Sequence, residues 1–158
     1  LVKYMLDVKP FRQSSGFWGP ACFKMVVEYY GIKKSESELA KLSGAKSTKG
    51  VSAEGLLKAA RALGLKGFSK DFSDIKDIET YVINKRIPVV VDWFYYDDGH
   101  YSIVVDIDEE NIYLRDPQFI KVRKMDIDTF KRVWFDFPGE FLRSKDDIII
   151  RRIIVVYK

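Results

Sequence analysis

The spacing of hydrophobic residues changes character near the middle of the chain. Up to about residue 85 they recur every three or four positions, as on helices; beyond it they come in short runs, as in strands. Residues 18–30, "WGPACFKMVVEYY", set Cys22, Met25, Val26 and Tyr29 along one stripe, which predicts a helix buried on that face and stopped by Gly31. "SESELAKLSG" predicts a second helix with Ser35 as its cap, Glu38 completing a capping box and Gly44 as its stop. "VSAEGLLKAARALG" predicts a third, from Ser52 to Gly64, with Leu56, Leu57, Ala60 and Leu63 on its inner face. "SDIKDIETYVINK" predicts a fourth, capped by Ser73.

The second half predicts a meander. Strands are expected at 87–94, 100–107 and 111–116, with hairpin connections "YYDDG" and "DEEN" between them. Another strand near 120–124 and a short helix over 126–133 follow, and "DIIIRRIIVVYK" reads as one long closing strand. The uninterrupted apolar run 87–91 marks a central strand, while residues 2–9 alternate and look extended, leading to a turn at 14–16. Helices first and antiparallel strands afterwards form an α+β pattern. No linker or repeat divides residues 1–158, so one domain is expected.

Composition narrows the chemistry. A chain of 158 residues, 47% hydrophobic and 15% aromatic, builds a core without staples. One cysteine excludes an intrachain disulfide and a cysteine-based zinc site, and one histidine excludes a histidine cluster; no metal or cofactor is expected. The charge is +4, from 27 basic and 23 acidic residues that are interspersed, which argues against a nucleic-acid groove. No apolar run approaches the ~20 residues of a membrane span, and the N-terminus does not read as a signal peptide. The lack of disulfides fits the cytoplasm and also permits export. Asn and Gln together number four (Gln13, Asn84, Asn111, Gln118) amid abundant Lys, Glu and Asp, a balance expected of a thermophilic source.

Few residues remain to carry reactions. A thiol nucleophile needs a helix N-terminus, a base, a group that orients the base and an oxyanion donor. Gln13 precedes the first helix, His100 opens a strand and Asp116 follows a later one, so a hairpin would bring the last two together. The helix opens with Trp18, however, and Cys22 stands one turn further along, ~6 Å up the axis and inside the apolar stripe. That location predicts a core cysteine. Each of the other three also has an ordinary structural role open to it, as a loop amide, a turn histidine or an aspartate before Pro117. Phe17, Trp18, Trp93, Phe94, Tyr95 and Tyr96 would serve as core or as stacking surface for an apolar peptide.

Taken in order, Gln13, "WGPACFKMVVEYYG", "KGVSAEGLLKAARALGL", Pro88 to Val91, "GHY" at Gly99, His100 and Tyr101, "DP" at Asp116–Pro117, and Phe130 with Trp134 resemble the C39 family of papain-like cysteine peptidases. The resemblance is strongest over 5–136. It implies a papain-like fold with N-terminal helices packed on an antiparallel sheet. It also implies Gln13 as oxyanion donor, His100 as base and Asp116 as its orienter. The family's nucleophile falls on position 18, where this chain has Trp18. Trp has no ionisable group. C39-like domains of haemolysin-type transporters likewise carry an aromatic residue there and serve as docking modules.

Two functions stay open on the sequence. One is a scaffold with a peptide-binding cleft and no activity, its ligand an extended or unfolded polypeptide and its setting a larger protein. The other is a working cysteine peptidase, with a natural Cys at position 18 or with Cys22 as nucleophile.

Overall fold

The computed structural model describes residues 5–12, 18–45, 50–96 and 98–158. Three helices come first: α1 (Trp18–Tyr29), α2 (Glu36–Ser43) and α3 (Ala53–Ala62). Their ends follow the local chemistry expected of them. Ser35 accepts the Glu38 N–H while Glu38 accepts the Ser35 N–H, and Gly44 closes α2 in the left-handed region at φ 70°. Such a cap is worth about 1 kcal/mol. Ser52 caps α3 through the Gly55 N–H.

Next come β1 (Lys66–Lys70), α4 (Ile75–Glu79), a π-helical turn (Thr80–Asn84), β2 (Val89–Tyr95), β3 (Asp98–Ile107), β4 (Asn111–Arg115) and β5 (Arg123–Asp126). The chain ends with α5 (Ile127–Val133), β6 (Phe135–Asp136), a 3-10 turn (Lys145–Asp147), β7 (Ile149–Ile150) and β8 (Ile153–Tyr157). Six strands form one antiparallel sheet in the order β1-β8-β2-β3-β4-β5, and β6 and β7 pair separately. Successive residues of β2, β3 and β8 are buried, so both faces of the sheet are covered. α1 packs on β3, α3 on β1 and β8, and α5 on β2 and β4. Phe130 and Trp134 are buried as the α5 pattern requires, and Leu6 and Val8 are buried while Met5, Asp7 and Lys9 are exposed.

Four expectations need correction. Asp74, not Ser73, caps α4 with a capping box of its own; Ser73 is buried and donates to the Lys70 carbonyl. The strand expected near 120–124 lies at Arg123–Asp126. β1 was not foreseen, because an edge strand with Lys66, Gly67 and Ser69 carries little apolar signal. The closing strand is broken at Arg151, whose φ of 49° lies in the left-handed region that non-glycine residues avoid. The break lets β7 pair with β6 and β8 cross to β2 and β1.

Candidate functional site

The start of α1 is fixed by close packing. Trp18 is the helix's first residue and Gly19 follows it. A side chain at Gly19 would collide with Val51, at the approach to α3, so only glycine lets the two segments meet. Tyr101 of β3 donates its hydroxyl hydrogen to the Val51 carbonyl at 3.1 Å, which ties the same junction to the sheet.

β3 and β4 then bring His100 and Asp116 together. His100 stands opposite Trp93 of β2, and Asp116 follows the last residue of β4. His100 Nε2 lies 2.8 Å from Asp116 Oδ2, with side-chain exposures of 3% and 0%. The same oxygen accepts the Ser102 hydroxyl at 3.0 Å and Arg123 at 3.3 Å, while Oδ1 accepts the Gln118 N–H at 2.8 Å. Ser102 in turn accepts the Trp93 indole N–H at 3.0 Å. Burial alone would raise the Asp116 carboxyl. The hydrogen bond and charge of His100, with those from Gln118 and Ser102, outweigh burial and hold it below the usual aspartate range. An ionised Asp116 calls for a hydrogen on Nε2, which puts the basic lone pair of the neutral imidazole on Nδ1.

Aromatic rings fix the orientation. The His100 ring meets Trp93 edge-on at 5.8 Å and Tyr95 at 5.4 Å. The Arg123 guanidinium sits 4.7 Å from the ring centres of both Tyr95 and Phe119. Sequence reasoning missed Ser102 and Arg123. Nothing in single-residue spacing singles them out, because their place in the site comes from contacts with Asp116 made by folding.

Of the other residues named from sequence, Cys22 is wholly buried, as a core residue should be. Burial, and then the negative charge of Asp116, push its thiol well above the ordinary value. Gln13 and the turn at 14–16 lie outside the described residues, as does Phe17. Trp93 is core, whereas Tyr96 is exposed.

A cleft of about 780 Å³ opens beside His100. Val51, Phe94, Tyr101, Asp136 and Arg152 contribute to its lining. Asp92 also reaches it, although only 2% exposed. Its signal in the sequence was a single acid inside the apolar run "PVVVDWF". Among the described residues no group of His, Cys, Asp and Glu is arranged to hold a metal ion, and no helix is long and apolar enough to cross a membrane.

The family model of the peptidase C39 family matches residues 12–137. An uncharacterized protein of Methanothermobacter marburgensis is 33% identical over 129 residues, which cover 75% of this chain and 83% of the relative. The fold is similar to the peptidase domain of Streptococcus ComA, a bi-functional ABC transporter involved in a quorum sensing pathway. The TM-score is 0.74 at 23% identity, over 95% of this chain and 98% of that one. It is also similar to a double glycine motif protease from an AMS/PCAT transporter in complex with the leader peptide. There the TM-score is 0.69 at 18% identity, over 97% and 93% of the two chains.

Proposed function

The chain belongs to the peptidase C39 family, and we propose that it is a member whose papain-like scaffold binds an extended peptide without cutting it. The observation that carries this is at α1. The helix opens with Trp18, where the motif "WGPAC" puts the family's thiol, and the chain's one cysteine is sealed in the core a turn later. A thiolate at Cys22 would be desolvated and would face the charge of Asp116, so Cys22 is a poor nucleophile.

Binding is supported by the cleft. Its 780 Å³ lies in the range of ligand sites, about 300–1,000 Å³. The structurally similar double glycine motif protease holds a leader peptide, which makes an extended peptide the first ligand to try. In this reading Gln13, His100 and Asp116 are parts of a site that keeps its base and lacks its nucleophile. The tryptophans supply the assay. Titration with extended peptides, leader-like ones included, is expected to shift Trp fluorescence saturably and to leave the peptide intact by mass spectrometry. Cleavage at a defined bond overturns the reading, and so does a flat titration with every peptide.

A second reading, an active cysteine peptidase, draws on one observation. The His100–Asp116 hydrogen bond is formed beside the cleft, as a thiol at position 18 would need of its base.

A further inference from the structure

The cleft has a second titratable centre. β6 crosses the end of β2, where Phe94 is stacked between Phe135 (5.3 Å, 9°) and Phe137 (5.2 Å, 25°). Asp136, between those two rings in sequence, accepts the Phe137 N–H at 2.7 Å. Asp92 shares a face of β2 with Phe94, and its carboxyl is hydrogen-bonded to that of Asp136. Gly99 pairs with Phe94, and any side chain at Gly99 would run into the Asp136 carboxylate. The two acids are therefore pressed together where β6 meets β2 and β3.

Two carboxyl groups hydrogen-bond only with a proton between them. β6 is two residues long and, among the described residues, has β7 as its one strand partner; the ribbon's other ties to the body include the Phe94 stack and the Phe72 N–H to Ile150 carbonyl bond at 2.8 Å. Asp136 to Glu140, in the ribbon and just after it, line the same cleft as residues 50–53. We propose that the Asp92–Asp136 pair is a proton-operated clasp that holds the β6–β7 ribbon against the main sheet and so sets the width of the cleft. Losing the proton leaves two anions in contact, and the ribbon loosens.

The neighbouring charges do not cancel this. Asp98, His100 and Tyr101 face the pair from β3, and Glu140 from the segment after β6. Arg152 approaches from between β7 and β8, but Asp71 already engages it in a two-point ion pair at 2.6 and 2.9 Å. Burial raises the carboxyl of Asp92 well above the usual range and raises Asp136 too, so the shared proton survives above the acid range.

The consequence for ligands rests on the cleft being the peptide site; the clasp does not, so it is tested on the full chain without peptide. Carboxyl carbons are followed by NMR against pH, together with hydrogen exchange of the ribbon amides corrected for the intrinsic effect of pH. One of the two carboxyls is expected to titrate well above the ordinary value of about 3.9. Through that titration ribbon protection falls at least about tenfold, the effect of one pKa unit of differential interaction. In Asp92→Asn the amide donates to Asp136 at every pH, and protection stays flat. If that variant does not fold, Asp136→Asn is read in the same way, and the wild-type titration decides without either. Both carboxyls ionised by about pH 5 with unchanged protection overturns the proposal, as does a wild-type fall in protection that persists in Asp92→Asn. In a parallel arm, peptide affinity is expected to change over the same pH range. A ribbon that loosens in a protein that binds no peptide refutes the binding reading and leaves the clasp standing.

Discussion

His100 and Asp116 share a 2.8 Å hydrogen bond between two buried side chains, one of which also borders the cleft. Removing Asp116 takes away an acceptor that four groups share inside the protein. Asp116→Ala, which removes the buried acceptor shared by His100, Ser102 and Arg123, is expected to cost about 3–5 kcal/mol in urea unfolding. Asp116→Asn keeps the shape and costs less. A loss under ~1 kcal/mol for the alanine variant would mean that the pair behaves like a surface contact.

The same carboxylate predicts a pH dependence with a definite sign. Its folded pKa lies below the unfolded value, so the unfolded chain binds the proton more readily. The stability Asp116 contributes is present above the unfolded value of about 3.9 and drains away as pH falls through the lower folded value. Stability of wild type against Asp116→Asn between pH 6 and 2 checks this, in Tm or in urea midpoint. Parallel curves for the two proteins would contradict it.

Trp18→Cys tests whether the base is still aligned. A thiol there, at the first position of α1, is expected to titrate below the ordinary ~8.5 and to react with iodoacetamide faster than glutathione does. An ordinary pKa and slow labelling would show that the His100–Asp116 pair no longer addresses that position. In the unaltered chain Cys22 is expected to be labelled only as fast as the protein opens, and quick labelling under native conditions would move it out of the core.

Gly19→Ala puts a methyl group into Val51 and is expected to cost about 1–3 kcal/mol. Gly19→Ala with Val51→Ala recovers part of that loss, so the two changes are not additive. Additive losses would place the strain elsewhere.

Much of this was legible in the sequence, and the residues explain why. Caps such as Ser35 with Glu38 are local chemistry and could be read directly. His100 and Asp116 could be paired because one hairpin joins their strands. Arg123, Ser102 and the Asp92–Asp136 pair could not, because each acquires its role from a residue brought in by tertiary folding. The run "IIIRRII" promised one strand by hydrophobicity, and the turn at Arg151 overrode it to serve two sheets. Ser73 lost the cap to its neighbour because its hydroxyl is occupied by Lys70.

The position of β8 has a consequence for how the molecule assembles. β8 is the last strand of the sheet in sequence, yet it lies between β1 and β2, and among the described residues it is the one strand that pairs with β1. Until β8 emerges from the ribosome, the nascent chain holds an unclosed sheet whose β2 edge is strongly apolar, and β1 lacks that partner. Such a chain folds late and over long loops, and any interruption before Ile153 yields a sticky fragment and not a smaller version of the same fold.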